Sequence, residues 1–230
     1  DPAMIDVSRH QEIFSPASWG DKRVDVIGAG ATGSPVVLEL AKLGVRNIHV
    51  WDFDAVEEHN LANQMYGPAD VGKLKVEALQ ELIRNQTGTE ITIHAEAVTA
   101  DNTPDSAVAF LLTDTMESRK AIGGAFKRKF RTKALIETRM GTETGYVFTF
   151  KPIVPSEMKA WQETLWEDAV TETSACGTAI TVGPTAHLLA TLAVWQFIRV
   201  ARDEPVDNQL FFCLRPYLIQ TSNFADQNAA

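Results

Sequence analysis

The chain has 230 residues and a formal net charge of −9, from 21 lysines and arginines against 30 aspartates and glutamates. That balance argues against a general binder of nucleic acid or anionic membrane, which needs a basic stripe to neutralise phosphates. The 2 cysteines, Cys176 and Cys213, are too few for a disulfide scaffold or a four-cysteine structural zinc site, and the expected compartment is the reducing cytoplasm.

Asp1-Pro2-Ala3 ahead of Met4 reads as a cloning remnant, and the polar start does not resemble a secretory signal. Val24 to Ile27 reads as a buried strand and Ser34 to Leu43 as a helix, with Pro35 tolerated in its first turn. Asn47 to Trp51 is a second strand. Val71 to Asn85 carries leucine, valine and isoleucine at helical spacing. Glu90 to Ala95 alternates as a strand, Ala107 to Leu112 is an apolar strand, Glu117 to Phe130 is helical, and Ala134 to Thr138 is another strand. The basic run from Lys127 to Lys133 reads as a solvated helix end and turn.

The pattern changes after Gly141. Gly145 to Phe150 is a β run, and residues 152–175 read as a loop with a short helix near Met158 to Trp166. Pro184 to Val200 is a long apolar helix, broken by too many polar residues to span a membrane. Asn208 to Ile219 reads as one terminal β segment at a sheet edge, because Pro216 cannot donate to a ladder. His187 and Cys213 read as core residues. Trp161, Trp166 and Trp195 read as core or dimer contacts.

Strands alternating with helices predict an α/β, Rossmann-like doubly wound fold. Its sheet is mainly parallel, with an antiparallel C-terminal part. One domain is expected over 4–230, with a nucleotide-binding part over 4–141 and a substrate-shaping and dimer part over 142–230.

Gly28-Ala29-Gly30-Ala31-Thr32-Gly33 matches G-x-G-x-x-G between a predicted strand and helix. Gly28 permits the tight turn, Gly30 lets a phosphate approach the backbone, and Gly33 lets helix and strand pack closely. The helix start offers free amides and a positive dipole to an anion. Asp52, ending the next strand, is placed to accept ribose hydroxyls. An adenine dinucleotide and ATP can both use such a loop.

Further elements follow in order. They are Asp52-Phe53-Asp54, then His59-Asn60-Leu61-Ala62-Asn63-Gln64, Gly72-Lys73-Leu74-Lys75 and Asp114-Thr115-Met116-Glu117-Ser118-Arg119. With the glycine loop, this series resembles the ThiF/MoeB/HesA family, the activating enzymes of ubiquitin-like and sulfur-carrier proteins. The resemblance runs from near Ser8-Arg9-His10-Gln11 to about Val200.

It implies Mg²⁺–ATP-dependent adenylation of the C-terminal carboxylate of a small carrier protein or peptide, with transfer to a thiol able to follow. By position, Asp52 resembles the ribose-binding acid and Lys75 the phosphate-binding lysine, with Lys73 competing. Asp54 belongs to the same nucleotide site. Asp114 resembles the aspartate that positions Mg²⁺, and Asn60 and Gln64 the polar residues at the phosphate end. Arg9 stands where the family has an arginine that reaches into a partner subunit's site, which implies a homodimer. The rivals are a NAD-dependent oxidoreductase and an inactive binding subunit.

The sequence departs from the family pattern at Asn63, where the family has an arginine. Arg139 or Lys73 is the expected compensating cation. Cys176, in a pre-helix loop behind Glu163, Glu167, Asp168 and Glu172, is the candidate thioester nucleophile. No structural zinc is expected.

Overall fold

The computed structural model describes residues 5–165 and 180–227. Its centre is built from two short strands, β1 (Val24–Ile27) and β4 (Val108–Leu111), which are buried at every residue and pair in parallel. Such strands must be covered on both faces, since successive side chains point to opposite sides. Val24 and Val26 enter one core with α2 (Gly33–Lys42), α3 (Lys75–Thr87) and α6 (Gly183–Ala201). Ile27, Ala109 and Leu111 enter another with α4 (Met116–Ala125) and α5 (Pro155–Glu163).

The remaining strands are β2 (Ile48–Trp51), β3 (Thr92–His94), β5 (Ala134–Met140), β6 (Thr144–Phe150), β7 (Gln209–Leu214) and β8 (Tyr217–Ser222). They form one 8-stranded sheet in the order β3-β2-β1-β4-β5-β6-β7-β8. It is parallel from β3 to β5 and antiparallel from β5 to β8. Crossovers on both faces make the fold doubly wound, with the expected antiparallel addition. Two short helices complete it, α1 (Pro16–Trp19) and α7 (Phe224–Gln227). Phe14 and Trp19 seat their rings 5.6 and 5.0 Å from that of Phe197 on α6, which ties the N-terminal segment to the core.

Several expected boundaries shift for local reasons. The helix expected from Val71 begins at Lys75, because residues 72 and 73 instead exchange backbone hydrogen bonds with Val56 and Leu74 bridges Ala55. The helix expected from Glu117 to Phe130 ends at Ala125, after the poor helix formers Gly123 and Gly124, and passes into a 3-10 turn at Phe126–Arg128. The helix expected near Met158 to Trp166 is α5, which starts on Pro155. The single β segment expected from Asn208 to Ile219 is a hairpin, with Arg215-Pro216 at its turn and β8 at the edge.

Two side chains expected in the core lie elsewhere. His187 is exposed, and Cys213 is half-buried with its thiol directed to the Arg215 carbonyl. Trp195, read as a core or dimer contact, is 50% exposed and so lies outside the core. Trp161 is buried as expected. Among the described residues, no helix is long and apolar enough to cross a membrane.

One polar cluster interrupts the second core. His49 and His94 meet Nδ1 to Nε2 at 3.0 Å, and His94 stacks on Trp51. Trp51 Nε1 donates to the buried Asp25, which also binds Arg23 and Ser106. Burial first, and then the Arg23 charge, hold both histidines below their usual 6.5, against the opposing pull of Asp25. Glu96 also pulls His94 upward. A base with a lowered pKa in the folded state is protonated more readily when unfolded. The stability it contributes is therefore intact above about pH 6.5 and declines as pH falls toward the folded-state value. Urea unfolding should show a lower midpoint at pH 5.5 than at 7.5, with a smaller difference in His94→Gln.

Candidate functional site

The loop between β1 and α2 is shaped by close backbone approach. Gly28 has φ +105°, and a Cβ there would lie 2.5 Å from the Leu112 carbonyl oxygen. A Cβ on Gly33 would lie 1.9 Å from the Gly28 carbonyl oxygen. At Gly30 a Cβ would meet only Gln64 Nε2, at 3.9 Å, so open space remains above that peptide. Two of the glycines thus serve packing and the third leaves room for a ligand, as the motif requires.

Asp52 lies directly across this turn. Its carboxylate accepts from the Ala29 N–H at 2.7 Å and from the Asp54 N–H at 2.9 Å. Burial pushes its carboxyl above the usual range, against the pull of those two amides and of Lys75. Each oxygen keeps lone-pair capacity for a hydroxyl donor.

Lys75 Nζ reaches Asp54 at 2.9 Å from a mostly buried stem at the start of α3. Lys73, the competing lysine, turns to Asp70 and Glu81 at 3.2 and 2.9 Å. Asp52, Asp54 and Lys75 are therefore brought to one place, and Lys73 is drawn to other partners.

The 3-10 turn at Glu58–Ala62 places the next group. Asn60 is buried, and its Oδ1 caps the turn by accepting from the Glu57 N–H at 2.9 Å. Its carbonyl accepts from the Asn63 and Gln64 N–H groups. The side-chain oxygens of Asn63 and Gln64 are buried and lack a partner among the described residues. These two oxygens lie beside Gly30 and the start of α6 and keep hydrogen-bonding capacity that a donor entering this space can meet. A half-turn of either amide presents an N–H to a phosphate in the same space.

Asp114 is exposed two residues beyond Leu112, on the loop that touches Gly28. Among the described residues no group of three or more metal-ligating side chains is assembled. A single carboxylate suits a magnesium ion that takes its other ligands from phosphates and water.

Arg9 is exposed and lies apart from this group. The adjoining His10 bonds the Leu43 carbonyl at the C-terminal end of α2, so about 15 Å of helix separates Arg9 from its own glycine loop. Cys176 lies outside the described residues, as do Trp166, Glu167, Asp168 and Glu172.

Arg139 does not provide the cation missing at Asn63. It is buried, paired with Glu137 at 2.8 Å, stacked over Phe148, and bonded to the Thr164 carbonyl at 2.7 Å. Lys73, the other candidate for that role, is held by Asp70 and Glu81.

Sequence reasoning missed two supports. Tyr66 donates to the Ala29 carbonyl at 2.6 Å, and burial, with Asp52 and Asp70 near, pushes its phenol well above the ordinary value, so it stays a donor. Ser34 donates to the Gly30 carbonyl at 2.8 Å and accepts from the Met65 N–H. Neither belongs to a periodic or motif pattern, so only the tertiary structure reveals them. Tyr66→Phe should cost about 1–3 kcal/mol, because it removes this donor from a buried carbonyl. The denaturation midpoint reads that loss.

The family model described as the ThiF family matches residues 15–226. The probable adenylyltransferase/sulfurtransferase MoeZ of Mycobacterium tuberculosis is 48% identical over 82 residues, which are 33% of this chain and 21% of the relative. The chain thus matches about a fifth of that relative's length. The Escherichia coli sulfur carrier protein ThiS adenylyltransferase is 27% identical over 186 residues, 78% of this chain and 72% of the relative. The solved structure of Escherichia coli MccB with ATP superimposes with a TM-score of 0.74 at 16% identity, covering 95% of this chain and 71% of that one, a likeness of fold. With the family model covering nearly all of the described residues, and the glycine loop, Asp52 and Lys75 at one sheet end, the chain belongs to the ThiF family.

Proposed function

We propose that the chain adenylates the C-terminal carboxylate of a small protein or peptide, with Mg²⁺–ATP as the nucleotide. One observation carries this reading: the glycine loop, Asp52 and the Asp54–Lys75 pair meet at one end of the sheet, beside the unpaired amides of Asn63 and Gln64.

The chemistry uses those residue types. The substrate carboxylate attacks the α-phosphorus, and pyrophosphate leaves with the electrons of the broken P–O bond. The carboxylate is already ionised at neutral pH, so no general base is needed. Both reactants are anions, so what the protein must supply is positive potential and orientation where charge develops. Asp52 would take the ribose hydroxyls. Lys75 would exchange Asp54 for a phosphate, a short movement for a flexible side chain. The amides at the start of α2 would face the phosphates. Asp114 would hold Mg²⁺, which when bound neutralises phosphate charge. Arg9, lying away from its own loop, would complete the site of a second copy in a homodimer. Where a thiol takes the acyl group next, Cys176 is the candidate acceptor.

Nucleotide choice tests this reading against the oxidoreductase that a glycine loop also permits. Mg²⁺–ATP at a hundred times its Kd should stabilise the chain by about 2.7 kcal/mol in thermal or urea unfolding, and NAD should not. Stabilisation by NAD alone would reverse the assignment.

A further inference from the structure

Glu137 is fully buried on β5 and has no part in the reaction above. Two guanidinium groups converge on its carboxylate, Arg119 Nε at 3.1 Å and Arg139 Nη2 at 2.8 Å. Trp161 Nε1 adds a bond at 3.1 Å. Burying such a cluster carries a desolvation cost that apolar residues of the same volume avoid, so stability alone does not account for it.

What the cluster holds is specific. Arg119, itself buried, donates from Nη1 to the Asp114 carbonyl at 3.4 Å and from Nη2 to the Thr138 carbonyl at 3.3 Å. It thereby bridges the loop after β4 to the end of β5. The same loop is pinned from its other side, where Thr115 accepts from the Ser118 N–H and Ser118 Oγ donates to Thr113. Asp114 therefore presents an exposed carboxylate from a backbone held on both sides. Arg119 Nε lies 3.1 Å from the Glu137 carboxylate while its Nη groups donate to the two carbonyls, so the buried acid sets its charge against the guanidinium that bridges them.

We propose that Glu137, acting through Arg119, is a positioning residue for the Asp114 carboxylate. The inference rests on the adenylation reading, in which Asp114 serves the nucleotide-bound metal. A neutral amide at 137 would remove the negative charge that Glu137 sets beside the guanidinium and loosen its hold on the Asp114 carbonyl.

Calorimetric binding of ATP to the full chain, with and without Mg²⁺, tests it. Wild type should bind ATP more tightly with Mg²⁺, and Asp114→Asn should abolish that tightening. In Glu137→Gln and in Arg119→Lys the tightening should fall about tenfold, with metal-free ATP affinity held within about twofold. The Mg²⁺ concentration for half-maximal ATP–pyrophosphate exchange should rise by a similar factor. A merely structural defect lowers the active fraction, and so kcat, without moving either quantity. If Glu137→Gln does not fold, Arg119→Lys decides alone. Tightening equal to wild type in the folded variants overturns the inference and leaves the adenylation reading standing. A wild type with no affinity for ATP overturns both.

Discussion

Lys75→Ala should lower ATP–pyrophosphate exchange by roughly two to three orders of magnitude while the chain stays folded. The lysine is 8% exposed, yet its partner Asp54 is half-exposed, so the abandoned carboxylate is solvated and the stability cost is small. On the proposed adenylation the loss belongs to the reaction, where a cation must meet charge moving onto pyrophosphate. Lys73→Ala is the matched comparison. Lys73 is half-buried and holds Asp70 and Glu81, so its removal should change exchange by no more than a few-fold. Exchange kinetics and a melting curve on each variant read the two effects separately. A larger loss at Lys73 than at Lys75 would exchange their roles.

Gly33→Ala and Gly30→Ala should part in the opposite sense. The new methyl at Gly33 would sit 1.9 Å from the Gly28 carbonyl oxygen and 2.7 Å from its carbon. Both are backbone atoms at the junction of β1 and α2, and neither can rotate aside. Opening that junction should cost about 3 kcal/mol or more, read as a lowered urea midpoint. At Gly30 the methyl meets only a side-chain nitrogen at 3.9 Å. That variant should fold normally and lose nucleotide affinity, because the methyl fills the space through which a phosphate approaches the backbone. Normal affinity in folded Gly30→Ala would remove the phosphate from this loop.

The centre of the parallel part is legible in the sequence because β1 and β4 are short, mostly apolar and buried on both faces, and each is followed by a turn and a helical pattern. β1 lies where Val24 to Ile27 predicts it. The antiparallel part is less legible. Asn208 to Ile219 is rich in β formers throughout, and only the two-residue turn at Arg215-Pro216 divides it into two strands. At the site, the motif residues were readable because each belongs to a spaced series. Tyr66, Ser34 and Glu137 were not, because their contacts are set by the fold and belong to no spaced series. Arg139 shows the converse. Its place at a strand end suggested a phosphate cation, but Glu137 two residues earlier on the same face of β5 satisfies it internally. His187 was misread because α6 is apolar enough to suggest burial all round, while its two sides differ in cover.

The central claim is that this site activates a carboxylate with ATP. ATP–pyrophosphate exchange, run with purified chain, Mg²⁺ and a panel of small carrier proteins and peptides with free C-termini, tests it most directly. The account predicts exchange that depends on one of these substrates, vanishes when its C-terminus is amidated, and is lost in Asp114→Ala. Exchange that persists in Asp114→Ala, or none with any carboxylate despite ATP binding, would contradict it.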